Sequence, residues 1–186
     1  MTLGLATCDK DGIYVAIESQ GLPVAGPIVK HRFPLLLDSK ILVLNVHPKV
    51  VVLVAGGLDH WAYVVANYSS TLPVRDAALE IVKLLDSCMT ENNKAFGLVC
   101  GYDKGTPRCY RINRHLNTIK TESPSEEKLA DITALGDYAD DAKKTARTAI
   151  ENKVPPLVAL VEAIDSLLSR NFVRGPVHSL VIRPGD

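Results

Sequence analysis

The chain has no surplus of charge of either sign. Lys plus Arg number 21, Asp plus Glu number 21, and the formal net charge is zero. That balance argues against nucleic-acid or membrane-surface binding driven by bulk charge. It also leaves little long-range repulsion between copies of the chain. Long hydrophobic runs are missing as well. The longest, such as residues 50–55, fall far short of the roughly 20 apolar residues that a spanning helix needs. The first 19 residues carry acidic side chains and no sustained apolar core, so no signal peptide is expected. Cysteine is scarce, at four. Cys8, Cys88, Cys100 and Cys109 show none of the paired short spacings of zinc sites, so reduced thiols and a cytoplasmic setting are expected. His31, His47, His60, His115 and His178 are scattered without ligand spacing. No metal and no cofactor is therefore expected. Repeats, linkers and low-complexity stretches are absent.

What is present suits one domain over residues 1–186, with 47% hydrophobic and 23% charged residues. Residues 3–8 read as a strand, Asp9-Lys10-Asp11-Gly12 as a tight turn, and residues 13–17 as the return strand, ending at Glu18. Residues 20–27 hold Gly21, Pro23, Gly26 and Pro27 and form a loop. Residues 33–37 are a short apolar run. Residues 40–46 and 49–55 are two further strands joined at Asn45-Val46-His47-Pro48. The second is nearly continuous Val and Leu, which predicts burial on both faces. Gly56-Gly57 breaks it.

Helical spacing follows over residues 58–68, and again after Pro73, where Ala77, Ala78, Ile81, Leu84, Leu85 and Cys88 form a stripe. A second hairpin is expected from residues 95–102 and 108–112, turning across residues 103–107. Residues 118–121 are a candidate short strand, 122–128 a polar surface loop and 131–135 another strand. A third helix is expected from Gly136, with Ala139, Ala142, Ala146, Ala149 and Ile150 on one face. Pro155-Pro156 sits in the first turn of a fourth, where Pro is tolerated. Residues 172–176 are a loop and 178–182 the last strand. Strands, two helices, strands, two helices and a strand are satisfied by two antiparallel sheets with a helix pair outside each, an α+β four-layer sandwich.

Thr2 directly follows Met1. A small second residue permits removal of an initiator Met, which would leave a hydroxyl and a free α-amine on one residue. Such an amine titrates near about 7.7–8.0 and is a recognised base for a threonine hydroxyl.

Four stretches together resemble a proteasome β-type subunit of the N-terminal-nucleophile hydrolase superfamily. They are Thr2 opening the first hairpin, Val54-Ala55-Gly56-Gly57 entering the first helix, Gly101-Tyr102-Asp103 before Pro107-Arg108-Cys109-Tyr110, and Arg174-Gly175-Pro176-Val177 before the last strand. Their order covers nearly the whole chain, and its compact length resembles bacterial relatives. The resemblance implies an αββα sandwich and a threonine-type peptidase or amidohydrolase. Thr2 would be the nucleophile and its amine the base. Gly56 would offer a backbone N–H to the oxyanion, a contribution on the order of 3 kcal/mol. Glu18 and Lys40 stand where the family has an acid and a lysine, with Lys30 as the alternative lysine. Glu18 is one methylene longer than the usual Asp. Val54 and Gly57 would line the substrate site. The family's serine ahead of the third helix is expected at Ala134, and its Asp and Ser before Gly-Pro-Val give way to Arg170, Asn171 and Val173.

Implied partners are a peptide or protein substrate and further copies of the chain in a ring or stack, with room for an ATPase partner. Trp61, Tyr68 and the alanine-rich third helix are candidate subunit contacts, although Trp61 also suits simple packing. A catalytically inactive subunit, or a narrow-specificity amidase or ligase, are the other readings of the same fold.

Overall fold

The computed structural model describes residues 2–18, 40–90, 93–115, 124–170 and 176–186. The expectations for residues 20–27, 33–37, 118–121 and 172–175 lie outside them. The elements are β1 (Leu3–Cys8), β2 (Ile13–Glu18), β3 (Ile41–Val46), β4 (Lys49–Gly56), α1 (Leu58–Asn67), α2 (Val74–Cys88), β5 (Lys94–Asp103), β6 (Thr106–His115), β7 (Ser125–Glu127), β8 (Thr133–Gly136), α3 (Ala139–Glu151), α4 (Pro156–Arg170) and β9 (Val177–Ile182). The strands form two antiparallel sheets, ordered β8-β1-β2-β9 and β3-β4-β5-β6-β7.

Alternation along the strands sets the packing. In β4, Val50, Val52 and Val54 point to one side and meet Trp61, Val64, Ala77 and Ile81 of α1 and α2. Val51, Leu53 and Ala55 point to the other and meet Ala6, Ile13, Val15 and Ile17 of the second sheet. That period-two division explains why β4 is an unbroken apolar run. On the far side, Leu3, Leu5 and Ala16 pack against Ala142 and Ala146 of α3 and Leu160 and Ile164 of α4. The two sheets thus share one core, and each covers its other face with a helix pair. Fully burying each such Val, Leu or Ile contributes roughly 1.5–3 kcal/mol.

The first turn forms as its sequence suggests. The Asp9 carboxylate accepts the Asp11 and Gly12 backbone N–H groups at 2.8 and 3.2 Å. It also accepts the Tyr14 hydroxyl, whose pKa is pushed up to about 12 by burial first and this bond second.

The second hairpin is tighter than expected. β5 and β6 pair from Lys94↔His115 to Asp103↔Thr106. The turn is only Lys104-Gly105, both at positive φ (49° and 78°), the geometry whose twist suits a two-residue hairpin. Pro107 therefore lies within β6, beyond the reach of β7, on a stretch paired on one side where its missing N–H is tolerated. Residues 125–127 are a strand rather than loop. Their polarity fits a sheet edge, where Glu126 pairs with Arg108 and Glu127 with Arg111. Gly136 ends β8 and does not begin the helix, which starts at Ala139.

Of the candidate subunit contacts, Trp61 and two of the third helix's alanines turn inward. Trp61 is fully buried, and its indole N–H donates to the Ala55 carbonyl at 3.1 Å, fastening α1 to the end of β4. Ala142 and Ala146 are buried inside the domain.

Two stability predictions follow from this packing. A Cβ at Gly97 would sit 2.9 Å from Trp61 Cη2 and 3.3 Å from the Leu53 carbonyl oxygen. Gly97→Ala should lower the unfolding free energy by about 1–3 kcal/mol in urea titrations through overpacking. Asp131 accepts Arg147 Nη2 at 2.6 Å and the Ile132 N–H at 2.8 Å, and these bonds hold its carboxyl below the usual range. A depressed folded pKa stabilises above the unfolded value, about 3.9, and that stabilisation is lost as pH falls through the lower folded value. Asp131→Asn should therefore melt slightly below wild type at pH 7, and the gap should close in acid; the pair is exposed, so it stays small.

Candidate functional site

Four backbone ends meet beside Thr2. The β1–β2 register sets Gly4 against Ile17, which brings Glu18, the last residue of β2, next to the start of β1. On the other flank Leu3 pairs with Gly136, which brings Asp137 alongside. Lys40 enters from the second sheet. Its carbonyl accepts the Val54 N–H at 3.0 Å, tying the start of β3 to the end of β4 close to Gly56.

The Lys40 ammonium donates to Thr2 Oγ1 at 3.1 Å and to Glu18 Oε1 at 2.6 Å. The Lys40 and Glu18 side chains are 5% and 0% exposed, while Thr2 is half-buried. Taking both charges out of water is unfavourable by several kcal/mol each, and is offset only where the pair is tightly bonded, as here. The ammonium thus carries a fixed positive charge against the threonine hydroxyl. Any negative charge developing on Oγ1 would be stabilised in place, without solvent reorganisation.

Asp137 grips the other side of Thr2. Its backbone N–H donates to the Thr2 carbonyl at 2.9 Å, and the Thr2 N–H donates to its Oδ2 at 3.4 Å. Gly136 makes this approach fit. Its φ is +97°, and a Cβ there would lie 1.8 Å from the Thr2 carbonyl oxygen. Ala134, expected in the serine's place, instead lies on β8 opposite Leu5, buried, with its carbonyl taken by Arg111 Nη2 at 2.9 Å. Asp137 was missed because the helix was expected to begin at Gly136; an apolar run closed by Gly-Asp was the available signal for a strand end.

The remaining expected residues divide. Gly56 is exposed, at φ +88°, where a Cβ would come 2.3 Å from the Lys94 carbonyl oxygen. Only glycine suits that turn. Gly57 is held differently, its N–H donating to the Lys94 carbonyl at 3.0 Å. Val54 is fully buried in the helix-side core with Trp61 and Ala95. Lys30, Asn171, Val173 and the Arg174-Gly175 pair lie outside the described residues, as do Met1 and the side chain of Arg170.

Two cavities open near the opposite end of β1. One of about 510 Å³ is lined by Cys8, Arg108, Glu126 and Lys128, and one of about 170 Å³ by Cys8, Asp131 and Arg147, among others. The Cys8 thiol is pushed up chiefly by burial, so it is a poor nucleophile there. Cys100 and Cys109 face each other across β5 and β6, Sγ to Sγ 3.5 Å, in the core between the sheets. The Cys100 hydrogen bond and then burial raise the Cys109 thiol well above its ordinary value. Among the described residues there is no group of three or more His, Cys, Asp or Glu that could hold a metal ion, and no helix long and apolar enough to cross a membrane.

No family model matches the chain. It is similar to the mouse (Mus musculus) telomere repeats-binding bouquet formation protein 1, 29% identical over 141 residues, which is 73% of this chain and 17% of that protein. The chain thus spans less than a fifth of the length of that relative.

Stability offers a direct check of the buried pair. Lys40→Met leaves the Glu18 carboxylate without its ammonium and should lower the unfolding free energy by about 3–5 kcal/mol. The double variant Glu18→Leu/Lys40→Met should recover much of that loss, and urea titration of all three proteins measures the difference.

Proposed function

We propose that the chain is a proteasome-like threonine hydrolase that cleaves peptide or amide bonds, an N-terminal-nucleophile enzyme on an αββα sandwich. The observation that carries this reading is the Lys40 ammonium, held by buried Glu18 and donating to Thr2 Oγ1. A buried lysine aimed at the hydroxyl of a threonine next to Met1 is hard to account for by packing alone. The sheet-and-helix arrangement is compatible with such a sandwich.

In the proposed reaction Thr2 is the first residue of the mature chain. Its α-amine takes the Oγ1 proton, directly or through a water, and Oγ1 attacks the scissile carbonyl carbon. The oxyanion is stabilised by the Gly56 N–H. Collapse breaks the C–N bond, and the ammonium returns its proton to the leaving amine. Water, deprotonated by the same α-amine, then hydrolyses the ester on Thr2. Lys40 disfavours a second positive charge nearby and so keeps the resting amine neutral, while Glu18 orients Lys40.

Copies of the chain would assemble as a ring or stack. Tyr63 on α1 and Leu79 on α2, 39% and 41% exposed, are suited to such contacts in place of Trp61. The telomere-repeat binding named for the mouse relative is not carried over, because the match covers little of that protein and the chain's net charge is zero.

The test is the intact mass of the purified protein before and after a threonine-directed electrophile, an epoxyketone or β-lactone. The expected result is loss of Met1 and one adduct per chain, absent in Thr2→Ala and retained in Thr2→Ser. A chain that begins at Thr2 yet takes up no electrophile would overturn the proposal.

A further inference from the structure

Resting on the reading of Thr2 as nucleophile, we infer that Asp137 is a positioning residue for the Thr2 α-amino group. Its carboxylate holds the amine in place and acts as counter-ion when the amine takes the hydroxyl proton. Thr2 lies between two opposite charges. Lys40 Nζ is 3.1 Å from Oγ1, and Asp137 Oδ2 is 3.4 Å from the nitrogen. Moving a proton from Oγ1 to the nitrogen makes the oxygen negative beside an ammonium and the nitrogen positive beside a carboxylate. Both charges of the proton-transferred state therefore develop against fixed partners.

Among the described residues the carboxylate has no other hydrogen-bond or ion-pair partner. The N-cap of α3 is Tyr138, at φ 57°, without a side-chain capping bond, and Asp140 and Asp141 already supply acidic groups to its first turn. Asp137 instead spends its backbone N–H and its carboxylate on the same residue, Thr2. Gly136 enforces that closeness, because no side chain fits between β8 and the Thr2 carbonyl.

Other titratable groups come from the elements packed around β1. They are Glu18 from β2, Lys40 ahead of β3, Tyr138, Asp140 and Asp141 from the α3 turn, and His178 of β9, paired with Ile17. α4 packs against β1 through apolar residues, among them Leu160 and Ile164. Asp137 is the acidic group bonded to the Thr2 nitrogen, and Lys40 the basic group bonded to its hydroxyl.

The experiment uses the full chain released with Thr2 as its first residue from an amino-terminal fusion cleaved directly before it. Wild type, Asp137→Asn and Asp137→Glu are compared. The first readout is the pH midpoint of α-amine acylation by acetic anhydride, followed by mass at Thr2. The second is the rate of adduct formation with the β-lactone. Asp137→Asn keeps an acceptor and removes the charge. Its midpoint should fall by about one pH unit. Its β-lactone rate should fall about tenfold, and Asp137→Glu should restore most of both. A lower rate with an unmoved midpoint would overturn the inference, because a merely structural role predicts that pattern. An Asp137-dependent midpoint on a wild-type chain that takes no β-lactone would support the carboxylate–amine contact and overturn the hydrolase reading instead.

Discussion

The ion pair of Lys40 with Glu18 is the constraint that the site depends on. An ammonium this far from water is stable only if a carboxylate meets it at close range, and Glu18 does so at 2.6 Å. Satisfying it requires the end of β2 and the start of β3, which lie in different sheets, to stay in register across the core. The same requirement fixes where the ammonium's next donor points, which is Thr2 Oγ1. Packing between the sheets and the chemistry at their shared edge are thus one problem with one solution.

The second support is glycine where backbones come too close for a side chain. Gly56 and Gly136 both adopt positive φ, and each presses against another strand's carbonyl, Lys94 in one case and Thr2 in the other. One turns β4 toward α1, and the other turns β8 toward α3. Both turns lie at the edge where Thr2, Glu18 and Lys40 converge. Trp61 reinforces the first of them by bonding the Ala55 carbonyl from within the helix-side core. Thr2 is left gripped by a cation on its side chain and an anion on its backbone nitrogen, an arrangement suited to separating charge within one residue.

Much of this was legible in the sequence. The Asp9-to-Gly12 turn, the apolar run of β4, the helical stripe of α2 and the proline start of α4 each carry a local physical signal, and each forms as read. The second hairpin was misread because Pro107 looks like a turn residue until one knows that β7 does not reach it. Residues 125–127 looked like loop because an edge strand held by Arg–Glu pairs needs no apolar face. Trp61 was open to either a subunit contact or simple packing, and its indole N–H has a partner inside the chain.

What the sequence by itself determined is most of the described strands and helices and which of their faces are apolar, because period and turn chemistry are local. It also singled out Thr2, Glu18 and Lys40, through resemblance. Only the tertiary structure decided that Lys40 reaches both Thr2 and Glu18, that Val54 turns into the helix-side core, that Cys100 faces Cys109, and that Asp137 rather than Ala134 touches Thr2. All but the Cys100–Cys109 facing, which the two-residue turn of the hairpin sets, depend on the register between strands far apart in the chain. A shift of one residue reverses the face of every side chain, and no local pattern sets that register alone.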